Sequence, residues 1–295
     1  MKRAIKNSSG GSMKNLFFTK RPPDSVFQVS SSKKILELSL FILIFFCHLS
    51  CTRSVKETSF TSEEKRRYEE LFVDLMFYET GIYTLFGEKP ITVSLLENSD
   101  KKEDPLYIDR SKNTQYILIK SWDLWLEKLK NLPMQNYLFV KKEIKDMPGI
   151  YNAFFVNIPA TIRVLKEHYP LFKEELGLDF DPETIVYDLQ KESSEFWDKA
   201  FQIESHISKG LLHGFGKENA LKFASLAPDE MDGQLSNILL PYEEISTKNF
   251  NLPFFRYFKS PDPILEKYRK DRLKIQEFYQ GKDLFDGTLE KLLEK

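Results

Sequence analysis

A short apolar run near the N-terminus constrains the fate of the first fifty residues. Residues 38–47 are apolar except for Ser39, and Lys33 and Lys34 precede them. A helix needs about twenty apolar residues to cross a bilayer core. Residues 35–50 supply only sixteen positions, which include one glutamate and one histidine, so the stretch is short for a permanent membrane span.

The end of this run has the layout of a cleavage site for an export signal. A basic flank, an apolar region of roughly 7 to 15 residues and a small residue before the cut are typical of signal peptides, and Ser50 lies immediately before Cys51. Residues 33–51 resemble the signal of bacterial lipoproteins, although His48 and Leu49 depart from the residues that most such signals carry there. The resemblance implies that Cys51 is lipidated, becomes the new N-terminus and anchors the protein in a membrane of the cell envelope, outside the cytoplasm. An uncleaved signal anchor and a cut at another residue are the alternatives.

The segments around this signal differ sharply in charge. Residues 1–34 hold eight basic side chains and one acid, which predicts a disordered basic leader, and Met13 is an alternative start. Residues 35–50 form the apolar region of the signal, and residues 51–60 are a polar tether. Residues 61–295 show no repeat and no long linker, so we expect one globular domain.

The composition of the exported part, 245 residues from Cys51 onward, excludes several kinds of protein. Residues 1–50 carry a net charge of +6, which leaves −7 for the rest and a chain total of −1. A mildly acidic domain is a poor nucleic-acid binder, because binding to phosphates requires a basic surface. Both cysteines, Cys47 and Cys51, lie in the signal region, so the domain has none for disulfides, zinc thiolates or thiol catalysis.

Hydrophobic periodicity predicts an α+β fold, with a small antiparallel sheet in the first half and a predominantly helical second half. Thr61 and Glu64 fit a capping box at the start of the first helix. Trp122 and Trp125 lie on the apolar face of a second helix, where we expect them in the core. The predicted helices are 62–85, 114–130, 160–176 with an interruption at Pro170, one starting at Asp181 and Pro182, 192–212, 217–226, 263–280 and 282–293; the predicted strands are 91–97, 136–144 and 150–158, the last two forming a hairpin, with a short extended piece at 106–108. In an alternative for the first helix, Gly81 ends it and residues 82–86 form a turn.

No pattern in the sequence predicts a metal site. His206 and His213 are seven residues apart, so on one helix they would be separated by about 10.5 Å along its axis, too far for one ion. Asp179 and Asp181 have the spacing of some metal-binding pairs, but Asp181 followed by Pro182 is typical of a helix start. The acidic residues at 229–232 lack the spacing of a calcium loop.

The turn at residues 213–217 is the best candidate for a ligand site in the sequence. In one interpretation, Gly214 and Gly216 let the backbone approach an anion at the start of the next helix, and His213 and Lys217 contribute side chains. In the other, the glycines allow close packing and turn the chain. The spacing matches neither a P-loop nor a dinucleotide-binding motif, and no strand precedes it, which favours packing.

Residues 83–90, Tyr-Thr-Leu-Phe-Gly-Glu-Lys-Pro, form the second distinctive segment. Together with residues 214–220, Gly-Phe-Gly-Lys-Glu-Asn-Ala, they resemble a set of uncharacterised proteins from chlamydia-type intracellular bacteria. That family carries no activity to transfer, so the resemblance implies none. Lys89 is either a ligand contact or a surface charge, and we expect the surface charge.

The sequence favours a lipid-anchored cell-envelope protein with a binding or structural role and without catalysis. No nucleophile elbow or other assembled catalytic set is present, and no cofactor is implied. The expected partners are the membrane, through a lipid or signal anchor, and another protein, but not nucleic acid. Two alternatives are an exported hydrolase or transferase with an anion site at residues 214–217, and a signal-anchored protein secreted to act on a host.

Overall fold

The computed structural model describes residues 60–87, 89–97, 112–145, 147–202, 204–226, 236–237, 248–258 and 261–294. These residues belong to one compact unit, Thr58–Lys295. The predicted leader, signal region and tether up to residue 59, including Cys51, lie outside the described residues. So do the predicted extended piece at 106–108 and the acidic residues at 229–232.

Ten helices and five strands are present in the described ranges. The helices are α1 (Ser62–Phe72), α2 (Ile82–Leu85), α3 (Lys112–Leu129), α4 (Ile158–Glu167), α5 (Tyr169–Leu176), α6 (Glu195–Ala200), α7 (His206–Leu212), α8 (Lys217–Ala224), α9 (Pro263–Phe278) and α10 (Leu284–Leu293), with a π-helix at Val73–Tyr78 and a 3-10 helix at Ile185–Gln190. The strands are β1 (Ile91–Glu97), β2 (Tyr137–Glu143), β3 (Ile150–Asn157), β4 (Ser236–Asn237) and β5 (Arg256–Tyr257).

A three-stranded antiparallel sheet, in the order β1-β3-β2, lies at the centre of the unit. The register places Phe155 of β3 between Thr92 of β1 and Phe139 of β2. The β2–β3 pair is the predicted hairpin, and the β1 boundaries are those predicted. A second, two-stranded sheet pairs β4 with β5.

Each face of the central sheet is covered by a separate hydrophobic core. Alternate strand residues such as Phe139 and Phe155 belong to one core, together with α1, α3, α9 and α10. Their neighbours, such as Val140 and Phe154, belong to the other core, together with α4 to α8. Because side chains on a strand alternate between faces, three strands suffice to divide two cores. Trp125 is fully buried in the first core, as predicted.

The α+β prediction is confirmed: the small antiparallel sheet lies in the first half and helices dominate the second. The capping box is also present, because the Glu64 N–H donates to Thr61 Oγ1 at 3.1 Å and the Thr61 N–H donates to Glu64 Oε2 at 2.8 Å. In α9 the carboxylate of Asp262 accepts the N–H groups of Ile264 and Leu265, both at 2.9 Å.

The structure departs from one continuous helix over residues 62–85 and is closer to the alternative in which the helix stops before Ile82. Helix α1 changes into the π-helix at Val73 and stops at Tyr78, and one helical turn, α2, follows. The Gly81 N–H closes the break by donating to the Leu75 carbonyl at 2.8 Å. Thr80, the residue before Gly81, has φ +55, a backbone angle that β-branched residues rarely adopt.

Two predicted helices in the second half also differ from the structure. The predicted helix 192–212 is divided into α6 and α7, because Ser205 Oγ donates to the Lys199 carbonyl and ends α6. The Glu175 carboxylate then accepts the N–H groups of Ile207 and Ser208 at the start of α7. Asp181 starts a turn that leads into the 3-10 helix rather than an α-helix. Glu175, 32 residues before Ile207 in the chain, therefore helps to decide where α7 begins.

Candidate functional site

The predicted turn at residues 213–217 packs tightly against the segment that contains Lys89. Gly214 has φ +74, and a Cβ at this position would lie 3.3 Å from Lys89 Cα and 2.4 Å from Tyr268 Oη. The hydroxyl of Tyr268 donates to the Gly214 carbonyl at 2.9 Å. Both the left-handed backbone and the close approach require glycine here. Atoms of Lys89 and Tyr268 therefore occupy the space beside Gly214 that a ligand would need.

Lys89 is buried next to this turn, with only 5% of its surface exposed, so the prediction of a surface charge is wrong. Its Nζ donates to the Glu79 carbonyl at 3.0 Å and to Thr80 Oγ1 at 3.3 Å. The Thr80 hydroxyl itself donates to the Glu79 carbonyl at 2.7 Å. Burial lowers the pKa of Lys89 to about 8, and the charge of Glu79 opposes this shift. The strained Thr80 thus serves to hold a buried amine.

His213 lies beside the buried lysine and is neutral at physiological pH. Burial lowers the pKa of His213 to about 3, and the positive charge of Lys89 lowers it further, whereas a hydrogen bond with the Ile91 backbone acts in the opposite direction. The imidazole stacks on Phe215 with 5.5 Å between ring centroids. It also meets the edge of Phe201 at 6.1 Å. The imidazole therefore packs against two aromatic side chains.

The rest of the turn is also used for packing. Gly216 has φ +82, and a Cβ there would lie 2.5 Å from Ile264 Cγ1. Asn219, three residues later, donates to the Phe215 carbonyl and to Asp262 Oδ2, both at 3.0 Å. Asp262 and Asn219 are each 3% exposed, so this network is part of the interior and fixes α8 against the start of α9.

The five predicted ligand residues do not all come together. Lys89, His213 and Gly214 come together, with Lys89 buried and the other two partly exposed. Gly216 packs against α9 instead. Lys217 is exposed at the start of α8, where its charge acts on His168. No lining residue of the cleft described next, within the described part of the chain, belongs to this predicted set.

An open cleft lies next to the segment that carries Lys89, with Phe86 and Gly87 in its lining. Its volume is about 500 Å³, within the range typical of small-molecule sites. It is formed where α2, the end of β3, the start of α4 and helix α9 meet. Its lining residues are Phe86, Gly87, Asn136, Tyr137, Asn157, Pro159, Ala160, Arg163 and Lys267.

Three polar side chains of the lining hold the carbonyls at the end of α2. Asn157 Nδ2 donates to the Thr84 carbonyl at 3.0 Å, and the Tyr137 hydroxyl donates to the Leu85 carbonyl at 2.6 Å. Arg163 Nη2 donates to the Gly87 carbonyl at 2.9 Å. The last carbonyls of a helix lack partners within the helix. These bonds therefore fix the wall of the cleft that α2 and Gly87 provide.

The start of α4 contributes little to ligand binding through its backbone. The Ile158 N–H donates to the Asn136 carbonyl and the Ala160 N–H donates to Asn157 Oδ1, both at 2.9 Å. Pro159 between them has no N–H. The charged groups of the lining are the side chains of Arg163 and Lys267. Burial lowers the pKa of Lys267, and the Asp271 carboxylate on the same helix opposes this shift.

The other predicted candidates have structural roles. The Asp179 carboxylate accepts from Lys173 Nζ at 2.6 Å and from the Tyr169 hydroxyl at 2.8 Å. Asp181 Oδ1 accepts the Glu183 N–H at 3.0 Å. His206 begins α7, and its ring contacts Phe223 at 5.3 Å. Among the residues that the structure describes, no group of three or more His, Cys, Asp or Glu side chains could hold a metal ion.

Sequence reasoning missed Asn136, Asn157, Arg163 and Lys267 as cleft residues. One signal was available: Asn157 followed by Pro159 is typical of a helix start, and the structure has Asn157 as the N-cap of α4. It would have moved the junction between strand and helix to the cleft. Arg163 and Lys267 carry no such signal, because their proximity depends on how α4 and α9 pack.

The comparisons with protein-family models, curated proteins and solved structures give no match for this chain. A cleft with two cationic side chains, two amides and two aromatic rings can bind and orient a small molecule.

Proposed function

We propose that this protein is a membrane-tethered binding protein, attached by lipid at Cys51, that holds a small molecule in the cleft between α2, α4 and α9 without catalysing a reaction on it. The observation that carries the proposal is the cleft itself. Its volume of about 500 Å³ and its mixture of aromatic and hydrogen-bonding side chains match the general character of ligand sites.

The chemistry of the lining favours binding over catalysis. Its residues include no histidine, cysteine, serine or carboxylate among the described part of the chain. The Tyr137 hydroxyl is bonded to a carbonyl, and burial raises its pKa to about 12, which makes it a poor general base at neutral pH. Apart from Tyr137 and Arg163, the described lining offers Lys267 no other acid–base group to exchange a proton with.

The packing of the turn at residues 213–217 weighs against the hydrolase or transferase alternative. An anion site there needs Gly214 and Gly216 to expose their backbone to a ligand. Both instead approach side chains, Tyr268 and Ile264. The cleft is therefore the better-supported site.

The tether is supported by the sequence. The stretch of residues 33–51 has the basic, apolar and small-residue order of an export signal that ends at a cysteine. A single lipid chain anchors only marginally, so stable attachment needs several chains, which lipoprotein processing provides. In the described part of the chain, no helix is both long and apolar enough to cross a membrane.

Mass spectrometry of the mature N-terminus tests the tether. We expect the chain to begin at Cys51 and to carry acyl chains, and a Cys51→Ser variant to lose both the modification and the cut. An unmodified Cys51 with residues upstream still attached would reject the lipid anchor and favour the signal-anchored alternative.

Ligand-observed NMR with a panel of small organic molecules tests the cleft. Asn136→Trp should fill the cleft while leaving intact the backbone bond between the Ile158 N–H and the Asn136 carbonyl. Asn131→Trp is the matched control, because Asn131 is exposed on a turn and does not line the cleft. We expect binding that Asn136→Trp abolishes and Asn131→Trp preserves. Binding unaffected by Asn136→Trp would place the site elsewhere.

A further inference from the structure

The cleft has an unusual charge for this protein. The whole chain carries 43 basic and 44 acidic side chains, so charge signs are nearly balanced. Two charged residues line the cleft, Arg163 and Lys267, and both are positive. No carboxylate in the described residues belongs to that lining. The charge of the cleft therefore selects against cations and favours an anionic ligand.

Arg163 is positioned to bind an oxyanion. Its bond from Nη2 to the Gly87 carbonyl orients the guanidinium at the wall of the cleft. A guanidinium has five N–H donors in a planar fork, so this one bond leaves donors for a second acceptor. The same fork matches the two oxygens of a carboxylate or phosphate. A side chain fixed at one edge loses less freedom when it binds a ligand.

Lys267 supplies the second charge from a different element. It extends from α9, whereas Arg163 extends from α4, so the two cations reach the cleft from separate helices. Burial lowers the pKa of Lys267, and an anion beside its amine would act in the opposite direction. Asp271, one turn further along α9, is the acidic group on this helix that acts on Lys267.

The remaining lining is apolar or aromatic. Phe86 and Tyr137 provide ring surfaces, and Pro159 and Ala160 provide aliphatic surface. The backbone N–H groups at the start of α4 are already bonded, so they do not explain anion binding. A ligand that fits this combination has an oxyanion at one end and an apolar body at the other.

We infer that the cleft binds a small organic oxyanion, a phosphate or carboxylate joined to an apolar group, whose charge lies between Arg163 and Lys267. This inference rests on the proposed role of the cleft as the ligand site and adds the chemical class of the ligand. The same chemistry occurs in a soluble metabolite and in the headgroup of an anionic lipid, and the tether makes both accessible.

Isothermal titration of the full chain in neutral detergent tests the inference with named probes. The probes are phenyl phosphate, benzoate, inorganic phosphate and phenol, with short-chain phosphatidylglycerol and phosphatidylcholine to represent lipids. We expect phenyl phosphate or benzoate to bind more tightly than either inorganic phosphate or phenol, because only they combine both features. Added salt should weaken this binding, because it screens exposed charges.

Single substitutions test how much each of the two cations contributes to anion binding. Arg163→Gln and Lys267→Gln should each weaken the tightest-binding anionic probe about tenfold, which corresponds to about 1.4 kcal/mol. Lys270→Gln is the matched control, because it removes the same charge from an exposed position of α9 that does not line the cleft. The control should retain the wild-type affinity. That result would exclude a general loss of positive charge as the cause of the weaker binding in the other two variants.

Each outcome of the titrations decides something. Binding of phosphatidylglycerol, but not phosphatidylcholine, with loss in Arg163→Gln supports the oxyanion and assigns it to a lipid headgroup. Binding of phenyl phosphate or benzoate alone supports it and assigns it to a soluble ligand. If phenol binds in the cleft as tightly as the anions, and Arg163→Gln has no effect, the oxyanion inference is overturned while the cleft remains a binding site. If no probe binds and Asn136→Trp changes nothing in the wider NMR panel, both proposals fail.

Discussion

Two neighbouring parts of one short segment, the sealed side at Lys89 and the open side at Gly87, have positive charges in opposite environments. Lys89 is 5% exposed and bonded to Glu79 and Thr80, whereas Gly87, two residues earlier, opens on the cleft that Arg163 and Lys267 line. In the sealed cluster of Lys89, Glu79 and Thr80, the amine is surrounded by protein atoms. The open cleft leaves its cations beside solvent, where a ligand can reach them.

The contrast shows that a conspicuous motif and a binding site need not coincide. The glycine-rich turn is conspicuous because close packing restricts its residues to ones without a Cβ. The cleft residues form no conspicuous motif in the sequence, because an exposed position accepts most side chains. The sealed side should therefore respond to substitution mainly through stability, and the open side mainly through binding.

The largest expected effect is that of Gly214→Ala on the sealed side. A Cβ would lie 2.4 Å from Tyr268 Oη at a position with φ +74, so overpacking and backbone strain combine. We expect a loss of about 3 kcal/mol in the free energy of unfolding, measured in urea. Gly281→Ala is the control, because it has φ +77 and no atom within 4 Å of the added Cβ. The control should lose only about 1 kcal/mol. Equal losses would show that strain alone, rather than packing against Lys89 and Tyr268, restricts Gly214.

The pH dependence of stability should reveal His213 next. Its pKa is about 3 in the folded chain and 6.5 ordinarily, so the unfolded chain takes up this proton first as the pH falls. The contribution of His213 to stability is complete above pH 6.5 and is lost progressively toward pH 3. His213→Gln should therefore reduce the pH slope of the unfolding free energy between pH 6 and pH 4 by at most about 1.4 kcal/mol per pH unit. An unchanged slope would mean that the imidazole is hydrated in the folded protein.

A smaller effect is expected from Lys89→Met. The pKa of Lys89 is about 8 in the folded chain and 10.5 ordinarily, so folding favours the neutral amine. The wild type should gain stability as the pH rises from 8 to 10.5, and the variant should lack this gain. At pH 7 we expect the variant to be about 1 kcal/mol more stable, because it removes a buried charge while the Thr80 hydroxyl still donates to the Glu79 carbonyl. Clear destabilisation at pH 7 would show that the two bonds from Nζ outweigh the cost of burial.

The sequence was most informative where local rules decide the structure. The capping box at Thr61, the strand β1 and the β2–β3 hairpin follow from spacing and alternation, and the structure has all three. It was least informative where distant groups decide. The break between α6 and α7 depends on the Glu175 carboxylate, and the burial of Lys89 depends on Thr80 in a strained backbone. Arg163 and Lys267 are separated by more than a hundred residues, so only the packed structure could bring them together.

The smallest expected stability effect, that of Arg163→Gln, is the sharpest test of the contrast between the two sides. The Arg163 side chain is exposed, and its described hydrogen bond is to the Gly87 carbonyl. Exposed substitutions usually change the free energy of unfolding by less than about 0.5 kcal/mol, so we expect thermal unfolding close to wild type alongside the tenfold loss of anion affinity. A loss of more than about 1 kcal/mol, comparable to a full buried hydrogen bond, would show that Arg163 mainly holds the end of α2. Arg163 would then be a structural residue, like Lys89, and not a ligand-binding one.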